Sequence, residues 1–465
     1  MQSVTDGPRV RLVVLTYNGR ANIEQCFDHL EALDWPKNRL DLVLVDNGSR
    51  DGSADLVADR HPDVHIIRLP KNVGFPANNH ALRDVESFDY VGLINDDAFV
   101  EPGYLRPLVD ALERDVALGA ASPRMLFHSK FIDLGVETTA TPAGRGDPRP
   151  LGVRISGLSV DDHNVWRRAH LAEGGHGAEI SRSGAYEWTA EKALVRVPVD
   201  RDGPVPDRVE ILLSAPGPKE VTLRSGSHSV AVPVDAESVW CAAPLAGVPY
   251  DVVNNAGSIV LRDGHGADRG FGAPNGPAFD QPRDVFAWCG GAVLLRPAYI
   301  ADVGLFDERF FLYYEDTDLS WRGRARGWRH RYVPEAVVHH VHAATTVGGS
   351  ASFAYFTERN RLLMLLKNAP RSMIREVLGD YLGQIYDAGR RDVAGAIAQG
   401  RRPNALPVVR RLRALGGFSR LAPSVLLDRP AVRSRQRVED GELLGQLSSS
   451  AGVGHQDRTQ SDQAG

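Results

Sequence analysis

Short apolar runs alternate with stretches of helical spacing over the first ~130 residues. Val10–Thr16 is rich in Val and Leu and ends in Tyr17-Asn18-Gly19. Residues 22–33 repeat apolar positions as a helix does, and 40–45 form a second run ending in Asp46-Asn47-Gly48-Ser49. Asp51 and Ser53 then supply cap chemistry for a following helix. Further runs cover 64–69 and 90–94, and 103–115 predicts another amphipathic helix. Short buried runs separated by helices predict a mostly parallel α/β sheet. In such sheets ligands bind beyond the carboxyl ends of the strands. The polar clusters fall there: Tyr17-Asn18, Asp46-Asn47, Asn72-Val73-Gly74 and Asn95-Asp96-Asp97.

From about residue 141 the helical period gives way to strict alternation, as in 193–197, 209–213, 221–223 and 229–232. Gly, Pro, Ser and Asp punctuate these runs, which predicts an inserted antiparallel β domain over 141–270. The α/β pattern resumes after it, with helical spacing at 299–303, 317–326 and 353–367. A strand beginning at 331–333 leads through Pro334 to His339-His340-Val341-His342. The expected organisation is therefore an α/β half over 8–140, the insert, a second α/β half over 271–370, a helical region over 371–445 and a disordered tail over 446–465.

Composition narrows the class. With 43% hydrophobic and 24% charged residues the chain reads as globular. A net charge of -5 argues against a nucleic-acid binder. Three scattered cysteines, Cys26, Cys241 and Cys289, give neither a disulfide framework nor a Cys-type zinc site and fit a reducing compartment. No apolar run approaches membrane-spanning length, and strand-like sequence begins at Val10 where a leader would lie. These features predict a cytoplasmic protein, peripheral at the inner face of the plasma membrane if it touches the membrane at all. Arginines crowd residues 401–437, which suits an anionic surface or, equally, a solvated helical face.

Two acidic clusters carry the candidate chemistry. Asn95-Asp96-Asp97 closes a strand, and its hard oxygens suit Mg2+ or Mn2+ held against a phosphorylated ligand. The alternative is an Asp-rich turn. Glu315 and Asp316 sit at a helix start, where mutual repulsion makes one of them more basic and suited to accept a proton. Acids favoured by the helix dipole are the plainer explanation. Asp46 can accept hydrogen bonds from a nucleobase or ribose, or simply close a turn. Three histidines within four residues can supply a metal ligand. Trp288-Cys289-Gly290-Gly291 sets an indole beside two glycines, as a sugar face or a core bulge would need. Residues 16–20, Thr-Tyr-Asn-Gly-Arg, replace the glycine fingerprint of a dinucleotide fold, and no Walker A sequence occurs.

Taken as blocks in order, these residues resemble the inverting family-2 glycosyltransferases of GT-A fold, in their bacterial rhamnosyltransferase- and galactofuranosyltransferase-like branch. The matching blocks are 14–18, 45–49, 72–75, 95–97, 290–292, 304–308, 310–319, 334–338 and 359–361. The resemblance implies nucleotide-sugar contacts at Thr16, Tyr17, Asn18, Asp46, Asn47, Gly74, Asn95 and Asp96. It implies Asp97 and His340 as ligands of Mg2+ or Mn2+, and Asp316, beside Glu315, as the base. Acceptor contacts fall to Trp288, Gly290 and Gly291. The expected reaction moves a sugar from a nucleoside-diphosphate donor, dTDP-rhamnose or UDP-galactofuranose by resemblance, to a hydroxyl of a cell-envelope glycan or lipid-linked acceptor. A glycan-binding protein that has kept the fold without catalysis is the alternative; it predicts loss of the acids that are present here. A homo-oligomer is a further expectation, with the β domain serving acceptor, subunit contact or spacing.

Overall fold

In the computed structural model, residues 7–142, 149–181, 184–341, 350–400 and 402–448 are described. Val10–Thr16, rich in β-branched residues and Leu, is the hub of the main sheet. It pairs in parallel with Leu40–Asp46 and with Tyr90–Asn95, and His65–Arg68 extends the parallel run outward from Leu40–Asp46. Both faces of these strands are covered. Leu12, Val14 and Leu44 pack with the helices Ile23–Glu31 and Leu105–Arg114. Val13, Val43, Val45, Val91 and Leu93 face the other layer, which contains Tyr299 and Ile300 of the helix Pro297–Val303.

The second α/β segment completes the same sheet. Ala292–Leu295 lies antiparallel to Tyr90–Asn95 and to Leu118–Phe127. Arg329–His340 then runs parallel to Leu118–Phe127, with Arg283–Val285 at the edge. Arg329–His340 is a single strand of 12 residues whose register slips between Val333 and Val337. Pro334 lies in that slip; it has no N–H to give the ladder, so the strand bulges there and continues. The helix that follows the aromatic block is Glu315–Ala325, two residues earlier at its start than the periodicity indicates.

A second, antiparallel sheet holds a core of its own, built on Leu134, Val136, Ile155, Val195, Val197, Ile211 and Leu223. It takes in Lys130–Thr138 and runs on to Val239–Pro244. The chain leaves the main sheet at Phe127 and returns at Val252, and these two points are joined by a hydrogen bond from Phe127 N to Val252 O of 2.9 Å. Phe131 and Tyr250 exchange backbone bonds of 2.9 and 3.0 Å just beyond. Arg201 clamps the crossing, donating to Phe127 O, His128 O and Asp251 Oδ1 at 3.1, 2.9 and 2.7 Å. The returning strand Val253–Asn255 pairs with Leu118–Phe127, so it belongs to the main sheet. The helices Ala351–Asn368, Arg371–Ala388 and Leu406–Ser434 pack against the aromatic block around Phe310, Tyr314 and Trp321.

Candidate active site

The strand ends bring the first cluster together. Thr16 is buried and donates its hydroxyl to Asp96 Oδ2. Gly19 lies so close to that carboxylate that a Cβ there would stand 1.9 Å from Asp96 Oδ2. Burial first, and then the charge of Asp97, push the Asp96 carboxyl up to about 7. Tyr17 is 45% exposed above this cluster, and Asn18 adopts a left-handed φ of 56° while accepting a bond from Arg50 N at 2.9 Å.

Asp46 is buried and its Oδ1 accepts from Ser49 N at 2.9 Å, so the turn chemistry is realised. Asn47 turns out to be scaffolding. Its amide nitrogen donates to Asn72 Oδ1 and Gly74 O, and its oxygen accepts from Val73 N, all between 2.9 and 3.0 Å. With those bonds made and 2% exposure, its side chain holds two loops together and does not face a ligand. Gly74 has a related cause: at φ 81° a Cβ would stand 1.9 Å from Phe311 O, so close packing demands glycine there. Asn95 enters through its backbone, donating to Gly291 O at 2.9 Å.

Asp97 and His340 meet because the short strand Ala98–Val100 pairs with the end of Arg329–His340, putting His340 opposite Ala98. His340 Nε2 lies 3.1 Å from Asp97 Oδ1. Its Nδ1 lies 3.1 Å from Asn254 Oδ1, on the strand returning from the β domain. Burial disfavours the imidazolium, but Asp97, with Asp268 and Asp96 behind it, outweighs burial and holds the His340 pKa above its usual value. His339 points elsewhere, to Glu101 Oε1 at 3.0 Å, and burial pulls its pKa down. His342 lies outside the described residues. Among the described residues no three His, Cys, Asp or Glu side chains converge as a metal cage. A carboxylate and an imidazole at this separation do fit Mg2+ or Mn2+ of the kind that takes its remaining ligands from phosphate oxygens.

The second cluster is Glu315 and Asp316 at the start of Glu315–Ala325. Asp316 Oδ2 accepts from Gly290 N at 3.0 Å and Oδ1 from Thr317 N at 2.6 Å. Burial raises its pKa even against those bonds. Glu315 is buried, with its pKa raised well above the ordinary range by burial and then by Asp316. The two clusters are stitched together: Gly290 N reaches Asp316, and the next residue's carbonyl, Gly291 O, takes Asn95 N. Trp288 corrects an expectation. It is fully buried, edge-on to Phe306 at 6.1 Å, and presents no face to a sugar.

The backbone leading into Asp316 is unusual. Phe311, Tyr313 and Tyr314 all have φ between 65° and 68°, a left-handed region costly for aromatic residues. Asn360 holds it there, its two amide N–H groups shared among Phe310 O, Leu312 O and Tyr313 O at 2.9, 2.8 and 2.7 Å. Arg359 adds bonds to Arg309 O and Phe310 O at 3.1 and 2.7 Å. Asp318, two residues past Asp316, is spent on structure, accepting from Lys367 and Arg322 at 2.9 Å and Asn368 at 2.8 Å.

Sequence reasoning missed Asn254, Asp268, Asn360 as a backbone clamp, and Lys367. Asn254 and Asp268 lie in the span read as β insert, where no period or motif marks them. Asp268 accepts from Asn255 Nδ2 at 2.6 Å, and its charge acts on both His340 and Cys289.

Comparison with known proteins matches residues 12–131 to the model of Glycosyl transferase family 2. That segment of the chain is similar to glycosyltransferase family 2. The match takes in the parallel strands around the hub of the main sheet, while most of the antiparallel sheet and the C-terminal helices lie outside it. A curated relative, N-acetylglucosaminyl-diphospho-decaprenol L-rhamnosyltransferase of Mycobacterium tuberculosis strain ATCC 25618 / H37Rv, is 34% identical over 146 residues, 27% of this chain and 47% of that one. The chain thus spans about half the length of this relative. Among solved structures, the mannosyltransferase PcManGT from Pyrobaculum calidifontis in complex with GDP-Man and Mn2+ aligns at 15% identity and TM-score 0.40, over 94% of this chain and 88% of that one. GalNAc-T7 with UDP, GalNAc and Mn2+ aligns at 11% identity and TM-score 0.44, over 91% and 57%. At these TM-scores nothing further about this chain follows from them.

Proposed function

We propose that this chain is an inverting, metal-assisted glycosyltransferase. It would move a sugar from a nucleoside-diphosphate donor to a hydroxyl of a cell-envelope glycan or lipid-linked acceptor. The observation that carries the reading is the meeting of Asp97–His340 with Asp316 through the Gly290-Gly291 backbone and Asn95. One charged pair suits a diphosphate-bound cation, and the other acid is fixed, partly buried and more basic than usual.

Asp97 and His340 would hold Mg2+ or Mn2+, which when bound supplies positive charge to a departing diphosphate. Asn254 would keep the His340 proton on Nδ1 and leave Nε2 directed at Asp97. Tyr17, Asp46 and Asp96 would line the nucleotide side. Asp316, oriented by Gly290 N and Thr317, would take the acceptor hydroxyl proton as that oxygen attacks the anomeric carbon. A single displacement of this kind inverts the configuration there. The rhamnosyltransferase relative supports dTDP-rhamnose as the first donor to try and a polyprenyl-diphosphate sugar as acceptor.

The test is release of nucleoside diphosphate from a panel of sugar nucleotides, with Mg2+ or Mn2+ and with chelator, beside Asp97→Ala and Asp316→Ala. Metal-dependent turnover of one donor, lost in both variants, is expected. A chain that binds no sugar nucleotide in the presence of metal would sink the reading.

A further inference from the structure

The helix Leu406–Ser434 has 29 residues and extends roughly 43 Å. One face is committed: Ala414, Phe418 and Val425 are buried, the latter two against the core that holds Met364 and Tyr381. The opposite face has no such cover. Val409, Leu412, Leu426 and Leu427 are 55%, 50%, 49% and 81% exposed. Steps of four and three residues from Val409 pass through Arg413, Gly416, Arg420 and Pro423 to Leu427, so aliphatic and guanidinium groups share one stripe. Arg413 and Arg420 are both exposed.

The charge around this stripe is one-sided. Residues 406–434 hold six arginines against one acid, Asp428, which is paired with Arg309, in a chain whose net charge is -5. Residues 406–427 bring only one aromatic, Phe418, and it is buried. Aromatic anchors enrich protein interfaces, whereas exposed aliphatics flanked by arginine fit a fluid, anionic, apolar boundary. Among the described residues no helix is long and apolar enough to cross a membrane, so the contact would lie along the surface.

We propose that the outward face of Leu406–Ser434 docks on a membrane surface rich in anionic lipid. The aliphatic groups enter the headgroup boundary, and Arg413 and Arg420 meet the phosphates. This goes beyond the transferase reading and stands apart from it, since none of these residues belongs to the catalytic cluster.

The test is flotation of the full chain with vesicles of phosphatidylcholine alone and with added phosphatidylglycerol. Wild type is expected to float with the anionic vesicles only and to be released by high salt. Val409→Asp/Leu427→Asp and Arg413→Glu/Arg420→Glu should each bind at least about tenfold more weakly. Val409→Asp/Leu427→Asp should keep the wild-type melting curve, because both positions are exposed, and Arg420→Glu alone serves as the control for Arg413, whose guanidinium also lies 5.3 Å from the Tyr355 ring centroid. Nucleoside-diphosphate binding, measured without vesicles, should not change, which separates this surface from the active site. Absence of wild-type flotation, equal flotation on neutral vesicles, or unaffected variants would overturn the proposal. So would sedimentation showing a wild-type dimer that Val409→Asp/Leu427→Asp splits, because the face would then be a self-contact.

Discussion

Two neighbouring acids, Glu315 and Asp316, differ in what they can do. Asp316 is oriented by a backbone N–H and partly open, while Glu315 is buried with its Oε2 unpaired. Asp316→Asn should lower kcat by about 10²–10⁴-fold with donor binding retained, and Glu315→Gln should cost far less. Because Asp316 is raised, its proton persists to higher pH than in an ordinary carboxylic acid. The acid limb of the kcat profile should therefore lie above the usual Asp range, with activity falling as pH drops through it, as rates measured across pH would show. Asn254 offers a second check. Asn254→Ala should weaken Mn2+ affinity by about 10–100-fold, read by calorimetry and independent of turnover. Periodicity places the acids of 95–97 and 315–316 and the histidines of 339–342 at strand ends and a helix start, and the resemblance singles out Asp97, Asp316 and His340 among them. The sequence could not show Asn254, whose partner lies 86 positions away. Nor could it show that Trp288 is spent in the core, since a sugar face and a packed indole look alike in one dimension.

Elements act here as clamps on one another. Ala351–Asn368 fixes the left-handed run before Asp316 through Asn360, and fixes Asp307 and Asp318 through Lys367, at 2.7 and 2.9 Å. Asn360→Ala would take this donor from Leu312 O and Tyr313 O, while Phe310 O keeps its bond from Arg359. It should destabilise by roughly 1–3 kcal/mol and lower kcat, seen as a lower denaturation midpoint together with slower turnover. Lys367→Met removes the cation that Asp307 and Asp318 share while Arg309 and Arg322 stay paired to them, and a loss of about 1–3 kcal/mol in urea titration is expected. The helical period of 353–367 announced the element, and the resemblance at 359–361 marked its residues. Their task was hidden, because a side chain that bonds backbone carbonyls leaves no complementary residue type to be recognised.

Across the whole molecule, the site depends on a chain that departs and comes back. Arg201 binds both the outgoing carbonyls and the incoming Asp251. Asn254 follows three positions later. Arg201→Ala should therefore lower Tm and also loosen Mn2+ binding, whereas a change confined to the far sheet should lower Tm alone. The fold class was legible from the switch between helical and alternating periods. The crossing was not: Lys130–Thr138 begins the second sheet inside the span expected for the first α/β half, and Val253–Asn255 rejoins the main sheet inside the span read as insert.

The paired bonds at Phe131 and Tyr250 have a consequence for how such a chain can be assembled. Seen from the main sheet, everything between those two residues is one overgrown hairpin loop whose ends already sit at ladder distance. A two-residue turn bridges strands that close, so the outer sheet can be exchanged or enlarged as a module without re-threading the sheet that carries the acids, provided Arg201 and its bonds at the crossing are kept.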